Sequence, residues 1–188
     1  MAKIFIIIGS TRPNRRGENI AKWVYGIAES KGLDVEMVDL RDWPLPFYNE
    51  IMGPASLKGK YSIEIASRWA AKVGEADGYL IVAAEYNHGY TAVLKNALDY
   101  CNKEWNNKPV AFVSYGGVSA GTRAVEQLRE VTIELQMLPM HDAVHLPLLL
   151  IALDEEGKPK DPNIIKSAEA VLDKLNDWSE KMKPLRNQ

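Results

Sequence analysis

Short runs of consecutive apolar residues alternate along the chain with stretches in which apolar residues recur every three or four positions. The first run, Ile4 to Ile8, is rich in β-branched residues and apolar throughout, which is typical of a strand buried on both faces of a sheet. Comparable runs occupy residues 79–83 and 109–114, and shorter ones lie at 35–38 and 143–146. The pattern therefore predicts five strands.

The stretches between these runs have the periodicity of amphipathic helices. Helices are predicted over 17–31, 61–74 and 91–101, over the stretch with apolar residues from Ala124 to Leu135, and after the cap Asp161-Pro162. Gly32 stands where a helix C-cap is expected. Residues 41–60 contain prolines and glycines at intervals and predict a long loop, whose aromatic residues indicate that it packs against the domain.

Strands that alternate with helices are the signature of a doubly wound α/β domain, with a parallel sheet between two helical layers. Right-handed crossovers leave few arrangements of five strands, and the order 2-1-3-4-5 is the natural one. In such a sheet, ligands bind at the carboxyl ends of the strands, where the strand order reverses. We therefore expect residues 1–188 to form one domain, with its site on the loops after Ile8, Ala83 and Ser114.

Composition narrows the class of protein. The formal net charge of −2 lacks the basic excess that is typical of nucleic-acid-binding proteins. The single cysteine, Cys101, cannot form an internal disulfide, and the apolar run at 4–8 is too short for a signal-peptide core or a membrane span. We expect a soluble, cytoplasmic protein without a nucleic-acid or membrane partner.

The loop after the first strand, residues 9–17, joins a buried strand to the start of a helix. Unpaired backbone N–H groups and the helix dipole suit this position to a phosphate. The run lacks a Gly-Lys-Ser/Thr ending and has Thr11 where the dinucleotide fingerprint requires glycine, so both of those motifs are excluded. A monophosphate is the expected ligand, and the alternative is a solvated basic turn. The candidate residues for binding this phosphate are Ser10, Thr11, Arg12, Arg15 and Arg16.

The loop after the third strand, residues 84–89, reads Ala-Glu-Tyr-Asn-His-Gly. It places a carboxylate, an aromatic ring and an amide beside the same crevice. Amides and backbone N–H groups can bond the edges of a flat heteroaromatic ring while an aromatic side chain packs along it. The loop is thus a candidate site for such a ring.

Three motifs, in order along the chain, resemble those of the NAD(P)H-dependent FMN reductase family. Glu85-Tyr86-Asn87 and the later Leu94–Asp99 resemble the family's Pro-Glu-Tyr-Asn and Leu-Lys-Asn-Ala-Ile/Leu-Asp. Gly9–Arg12 resembles its Gly-Ser-x-Arg phosphate loop, and Lys108–Ala124 looks like its third loop. The resemblance runs from about residue 3 to 138. It implies a flavodoxin-like fold, bound FMN, NADPH or NADH as co-substrate, and a homodimer or homotetramer.

The resemblance also implies roles for individual residues. Those that would hold or adjoin the phosphate are Ser10, Arg12, Arg15, Arg16 and Gly17. Those that would flank the isoalloxazine ring are Glu85, Tyr86, Asn87 and His88, with Tyr115, Gly116 and Gly117 at its far edge. The chain departs from the family pattern in the following places: Ala84 replaces proline, Arg15 and Gly17 replace the common serine and asparagine, and Thr91-Ala92 replaces Pro-Gly.

The implied reaction passes a hydride from a nicotinamide to the flavin and then electrons to a small acceptor. The acceptor would be a quinone, an azo compound, a metal oxyanion or free flavin. A single stacking site used in turn predicts ping-pong kinetics. Backbone N–H groups of Gly116 and Gly117 would stabilise the charge of the reduced ring, and no side-chain acid or nucleophile is required.

Two other functions compete with this interpretation. Gly117-Val118-Ser119-Ala120-Gly121 matches the Gly-x-Ser-x-Gly elbow of serine esterases, with Asp142 and His145 in the right chain order. The strand that precedes it is predicted to end early, at Ser114. A flavodoxin-like electron carrier or FMN-binding regulator is the second alternative. His141 and His145 also form a possible metal pair, but the segment looks extended and no carboxylate or thiol cluster supports them.

Overall fold

The computed structural model describes residues 1–148 and 153–187. The strands are β1 Lys3–Ile8, β2 Asp34–Asp39, β3 Gly78–Ala84, β4 Pro109–Gly116 and β5 Leu138–Pro147. The helices are α1 Gly17–Ser30, α2 Pro54–Leu57, α3 Glu64–Glu75, α4 Ala92–Asp99, α5 Thr122–Glu134 and α6 Pro162–Met182, with 3-10 turns at Leu40–Asp42 and Lys183–Asn187. Over this described part of the chain, no helix has both the length and the apolar character that a bilayer crossing requires.

The five strands form one parallel sheet in the order β2-β1-β3-β4-β5, which confirms the predicted topology. This is the flavodoxin-like arrangement, and its order reverses between β1 and β3. Ile8, at the end of β1, pairs with Asp39 on one side and Val82 on the other. The carboxyl ends of these strands therefore lie side by side, and their loops meet at one edge of the sheet.

Apolar residues on the two faces of the sheet build two separate cores. In β1, Phe5 and Ile7 pack with α3, α4 and α5, while Ile4 and Ile6 pack with α1 and α6. Successive side chains of a strand point to opposite faces, so a run that is apolar at every position serves both cores. The arrangement confirms the predicted three layers.

Most predicted elements are present, with shifted ends. β4 continues to Gly116, two residues beyond the predicted end at Ser114, because its pairing with β3 and β5 continues. β5 starts at Leu138 rather than near Ala143, because its pairing with β4 begins there and then shifts register. α3 starts three residues later than the predicted helix, at Glu64.

The ends of α1 and α4 follow the expected capping chemistry. Gly32 has a φ of +70°, and its N–H and that of Leu33 donate to the carbonyls of Glu29 and Ala28. These two hydrogen bonds end α1 with a Schellman motif, and the C-cap expected from Gly32 is thereby confirmed. α4 begins one residue later than the predicted helix because Thr91 is its N-cap, with Oγ1 accepting the N–H of Leu94, and it ends at Asp99 rather than Cys101.

Residues 41–60 pack against the domain only in part. Trp43, Leu45 and Tyr48 contact the core that includes α3 and α4, as the aromatic content predicted. Phe47 and Ile51 are exposed. The segment also contains the short helix α2, which the sequence pattern did not indicate.

Candidate functional site

A cleft of about 530 Å³ opens at the carboxyl edge of the sheet, beside the point where the strand order reverses. Its lining comes from the loop after β1, the loop after β3, the start of α4 and the 41–60 segment. The lining residues are Ser10, Thr11, Arg12, Leu45, Pro46, Phe47, Tyr86, Thr91, Ala92, Val93 and Asn96. The predicted site residues that the fold brings together on this cleft are thus Ser10, Thr11, Arg12 and Tyr86.

Gly9 lets the loop after β1 pass close to β3. Its N–H donates to the carbonyl of Val82 at 3.0 Å, and a Cβ at this position would lie 2.9 Å from that oxygen and 3.1 Å from Leu94 Cδ2. The hydroxyl of Thr91 donates to the carbonyl of Gly9. These contacts fix the start of the loop against β3 and α4, so the two sides of the cleft are held together.

Ser10 and Tyr86 connect the two loops across the cleft. The hydroxyl oxygens of Ser10 and Tyr86 lie 2.9 Å apart, within hydrogen-bond distance. Ser10 is buried, whereas Arg12 and the ring of Tyr86 are exposed. The arrangement presents a hydroxyl and a cation at one end of the cleft and an aromatic surface beside them.

The Arg15 side chain points away from the cleft, towards the end of β2. Its guanidinium is 1% exposed and donates to the carbonyl of Ser10 at 2.5 Å and to both carboxylate oxygens of Asp39. Burial raises the pKa of the Asp39 carboxyl, but the hydrogen bonds and charges of Arg15 and Arg41 together outweigh it and hold that pKa below its usual value. The charge of Arg15 is therefore already paired at the end of β2.

Arg16 and Gly17 lie at the start of α1. Arg16 is exposed and occupies the N-cap position without a side-chain cap bond. Gly17 is buried against Tyr115, where a Cβ would lie 2.7 Å from the phenolic oxygen. The Tyr115 ring thus lies beneath the loop after β1, and burial raises the pKa of its hydroxyl.

This close approach gives a testable prediction for Gly17. Replacing Gly17 with Ala is expected to destabilise the protein by about 1–3 kcal/mol, because the new methyl group displaces a buried tyrosine. The double variant Gly17→Ala/Tyr115→Phe removes the clashing oxygen and is expected to recover most of this loss. Urea denaturation of wild type, Gly17→Ala, Tyr115→Phe and the double variant forms a double-mutant cycle. Strict additivity of the two substitutions would contradict the contact.

The loop after β3 is a tight two-residue turn. The N–H and carbonyl of Tyr86 pair with those of Gly89 at 2.8 and 3.0 Å, and the two residues between them have φ values of +50° and +70°. These residues are Asn87 and His88, and positive φ at both is typical of a type I′ turn. A histidine in the left-handed region of φ and ψ is less favourable than one in the usual regions, so neighbouring contacts must stabilise it. Residues in such conformations cluster at functional sites.

Glu85, at the base of this turn, joins the loops after β3 and β4. Its buried carboxylate pairs with Arg123 at the start of α5 and accepts the Ser119 hydroxyl at 2.9 Å. Burial raises the pKa of Glu85, but the bonds from Arg123 and Ser119 outweigh it and lower that pKa. Arg123 also lies 2.6 Å from His88 Nε2, which must accept because a guanidinium only donates. One Glu85 oxygen, Oε2, is buried without a partner among the described residues.

The backbone of β4 reaches the same edge. A Cβ on Gly116 would lie 3.1 Å from the N of Gly121 and 3.4 Å from Glu85 Cβ, so the glycine permits close passage of these loops. Gly117 follows it and is exposed. The predicted ring-edge residues therefore share the edge of the sheet with the cleft, while the Tyr115 side chain points to the loop after β1.

Several lining residues were not predicted as part of the site. The amide of Asn96 donates to the carbonyls of Leu45 and Pro46 at 3.3 and 2.8 Å and accepts the N–H of Tyr48 at 3.0 Å. It thereby holds the 41–60 segment over α4 as an apolar wall. Asn96 belongs to the Leu94–Asp99 motif, which was the one sequence signal for this contact.

The geometry does not favour the esterase alternative. Ser119 bonds Glu85 and Arg123, whereas His145 Nδ1 lies 2.7 Å from Ser114 Oγ. Asp142 is 2.9 Å from His141 Nδ1 and 2.7 Å from Lys174, so these side chains do not form a catalytic triad. In residues 1–148 and 153–187, histidine, cysteine and carboxylate side chains form no group of three suited to a metal ion.

A parallel sheet in this order, with a hydroxyl and a cation at the switch point, defines a flavodoxin-like mononucleotide-binding protein as the class. Residues 2–148 match the family of NADPH-dependent FMN reductases, and the chain belongs to this family. The predicted family and class of enzyme, an oxidoreductase that pairs FMN with NAD(P)H, are thereby confirmed.

Individual relatives agree with this assignment. An NAD(P)H-dependent FMN reductase of Schizosaccharomyces pombe is 40% identical over 148 residues, which are 77% of this chain and 74% of the relative. An NAD(P)H:quinone oxidoreductase of Solanum tuberosum is 34% identical over 109 residues, 56% and 53% of the two chains. The structure of FerB, a flavoenzyme NAD(P)H:(acceptor) oxidoreductase from Paracoccus denitrificans, superposes with a TM-score of 0.76 at 23% identity and covers 97% and 99% of the two chains. This likeness supports the fold.

Proposed function

We propose that this chain holds FMN in the cleft at the switch point and uses it to transfer electrons from NADPH or NADH to a small acceptor. The observation that carries the proposal is the convergence of Ser10, Arg12 and Tyr86 on one cleft. A hydroxyl and a guanidinium match a phosphate, and an aromatic ring beside them matches a flat heterocycle.

The residues present fit the cofactor at both ends. At the phosphate end, Ser10 and Arg12 offer a hydroxyl and an unburied cation. At the ring end, Tyr86 and Val93 provide apolar walls. FMN, when bound, supplies the hydride chemistry, while the protein supplies position and electrostatics.

The proposal assigns the other predicted residues as follows. Asn87 and His88 shape the turn beside the ring, and the backbone N–H groups of Gly116 and Gly117 stabilise negative charge near it. Arg16 adds an exposed positive charge at the phosphate end, and Gly17 makes room for the Tyr115 ring. These groups bind and orient the cofactor and exclude water, and none acts as a nucleophile.

A single cleft is used in turn by the nicotinamide and by the acceptor, which gives ping-pong kinetics. The proposed acceptors are quinones, azo compounds, metal oxyanions and free flavin, and the quinone oxidoreductase relative supports the first of these. A homodimer or homotetramer and a cytoplasmic location stay predictions.

A visible spectrum of the purified protein tests the proposal directly. We expect the absorption bands of bound flavin, bleaching by NADPH under anaerobic conditions, and recovery when a quinone is added. Initial rates at several fixed quinone concentrations are expected to give parallel double-reciprocal lines. Protein that stays colourless after incubation with FMN would remove the basis of the proposal, and bound flavin that NADPH leaves oxidised would favour the electron-carrier alternative.

Arg12 is the residue whose loss should affect phosphate binding most directly. Replacing Arg12 with Ala is expected to weaken FMN binding by about 10- to 100-fold, because a charge-assisted hydrogen bond is lost. Riboflavin, which lacks the phosphate, is expected to bind wild type and variant equally. Lys166→Ala removes the same charge from an exposed position on α6 and serves as the control. Quenching of flavin fluorescence gives the affinities, and an equal loss for riboflavin would argue against a phosphate contact.

A further inference from the structure

We propose that Arg15 and Arg41 are positioning residues that hold the phosphate loop, residues 10–12, from its outer side, meaning the side away from the cleft, and that Asp39 anchors both of them. The inference rests on the proposed FMN site and specifies how that site is prepared before the phosphate arrives. It gives Arg15 a role different from the direct phosphate contact that the family resemblance implies.

Three consecutive carbonyl groups of the phosphate loop are bonded by these two arginines. Arg15 Nη1 donates to the carbonyl of Ser10 at 2.5 Å. Arg41 donates through Nη2 to the carbonyl of Arg12 at 2.7 Å and through Nε to that of Thr11 at 3.4 Å. The loop is therefore held by its backbone, and these contacts do not depend on the loop's own side chains.

The bonds to the loop carbonyls also determine where the N–H groups of the loop point. In a planar trans peptide the C=O and the N–H point in opposite directions. When the carbonyls of Ser10 and Thr11 are held on the outer side, the N–H groups of Thr11 and Arg12 must point to the opposite side. Ser10, Thr11 and Arg12 line the cleft, so these donors are oriented for an anion there.

Asp39 sets the position of both arginines. Its carboxylate accepts hydrogen bonds from the Arg15 guanidinium, and its Oδ1 also accepts the backbone N–H of Arg41 at 2.9 Å. The same side chain is the N-cap of the 3-10 turn Leu40–Asp42, from which Arg41 projects. One carboxylate at the end of β2 thereby fixes two cations behind a loop that follows β1.

Charge pairing distinguishes this role from direct phosphate binding. The Arg15 guanidinium is 1% exposed and already paired with Asp39 and, at 3.5 Å, with Glu18. If Arg15 bound the phosphate directly, Asp39 would compete with the ligand, and its neutralisation would strengthen FMN binding. If Arg15 positions the loop, neutralising Asp39 must weaken FMN binding, so the two roles predict opposite signs.

The test is Asp39→Asn, with Asp42→Asn as the matched control, since Asp42 is an exposed carboxylate in the same 3-10 turn. Titration of the apoprotein with FMN is expected to show affinity about 10-fold weaker for Asp39→Asn and unchanged for Asp42→Asn, a loss typical of one charge-assisted bond. Affinity that is equal to or stronger than that of wild type would overturn the proposal.

A second measurement needs no cofactor. Backbone ¹⁵N order parameters of the apoprotein are expected to fall in residues 10–12 for Asp39→Asn and for Arg41→Ala, because the contacts that hold the loop carbonyls are lost. Arg41 is partly exposed, so its truncation leaves the folded core intact even if Asp39→Asn fails to fold. Unchanged order parameters in Arg41→Ala would overturn the positioning role of Arg41, whereas failure of wild type to bind FMN would contradict the proposed function alone.

Discussion

Replacing Trp69 with Ala is expected to cost about 3–5 kcal/mol of stability, as truncation of a fully buried tryptophan commonly does. Trp69 is 1% exposed, and its ring centroid lies 5.1 Å from that of Trp43 and 6.3 Å from that of Trp105. Its indole N–H also donates to the carbonyl of Ala97 at 2.8 Å. The substitution therefore leaves a large cavity and an unpaired carbonyl in α4.

The same substitution should also weaken the proposed cofactor site. Ala97 belongs to α4, and the first turns of this helix supply Thr91, Val93 and Asn96 to the cleft. When α3 no longer supports α4, the wall that Asn96 holds loses its fixed position. We expect FMN affinity to fall together with stability in Trp69→Ala.

Urea denaturation monitored by far-ultraviolet circular dichroism measures the first effect, and flavin titration measures the second. Trp178→Ala is the matched control, because Trp178 is 38% exposed on α6 and its loss should cost less than about 1 kcal/mol. Trp69→Phe should lie between the two, since it keeps an aromatic ring but loses the bond to Ala97. Similar losses for Trp69→Ala and Trp178→Ala would contradict the central position of Trp69 in the core.

The order of the strands could be predicted from the sequence because it follows from local patterns and general rules of connection. Each buried run had strand length, and the right-handed crossover then left the observed order. The ends of β4 and β5 could not be predicted in the same way. Whether Tyr115 and Gly116 continue a strand depends on partners in β3 and β5, which are distant in sequence.

The lining of the cleft was predictable to the extent that its residues lie within single loops. Ser10, Arg12 and Tyr86 follow strands directly, and the topology brings strand ends together. The pairing of Arg15 with Asp39 was not visible, because 24 residues separate them and an arginine in a basic loop looks the same whether its partner is a phosphate or a carboxylate.

The Ser119 motif shows that a sequence pattern can also suggest a function that the contacts in the structure do not favour. Its spacing of small residues matches a nucleophile elbow, but the spacing does not determine what the hydroxyl contacts. Glu85, 34 residues earlier, accepts that hydroxyl and pairs with Arg123. A serine bonded to an ionised carboxylate and a guanidinium connects two loops. Among the described residues, no histidine is hydrogen-bonded to this hydroxyl to act as its base.

Stability is expected to depend on pH through Lys108, which lies at the opposite end of the sheet from the cleft. Its ammonium group is buried and donates to the carbonyls of Val73 and Gly74 and to the Tyr79 hydroxyl, at 3.1 to 3.2 Å. Burial and, secondarily, repulsion by Arg186 lower the pKa of Lys108 to about 8, below the usual 10.5. The unfolded chain therefore holds this proton more tightly than the folded protein does.

The sign of the effect follows from proton linkage. Between about pH 8 and pH 10.5 the unfolded state carries more protons at Lys108, so unfolding becomes less favourable as pH rises. Below this window Lys108 is protonated in both states and contributes no pH dependence. Burial raises the pKa values of Tyr79 and Cys101, and these groups act in the opposite direction at high pH.

Comparison with Lys108→Met isolates the lysine, because Tyr79 and Cys101 are present in both proteins. Relative to the variant, wild type is expected to gain about 2 kcal/mol of unfolding free energy as the pH rises from about 7.5 to 9.5. Lys103→Met, at an exposed position nearby, should follow wild type at every pH. Urea denaturation at intervals of half a pH unit measures the difference. Parallel curves for wild type and Lys108→Met would mean that the carbonyls of Val73 and Gly74 stabilise the ammonium as well as water does, leaving the pKa of Lys108 at its ordinary value.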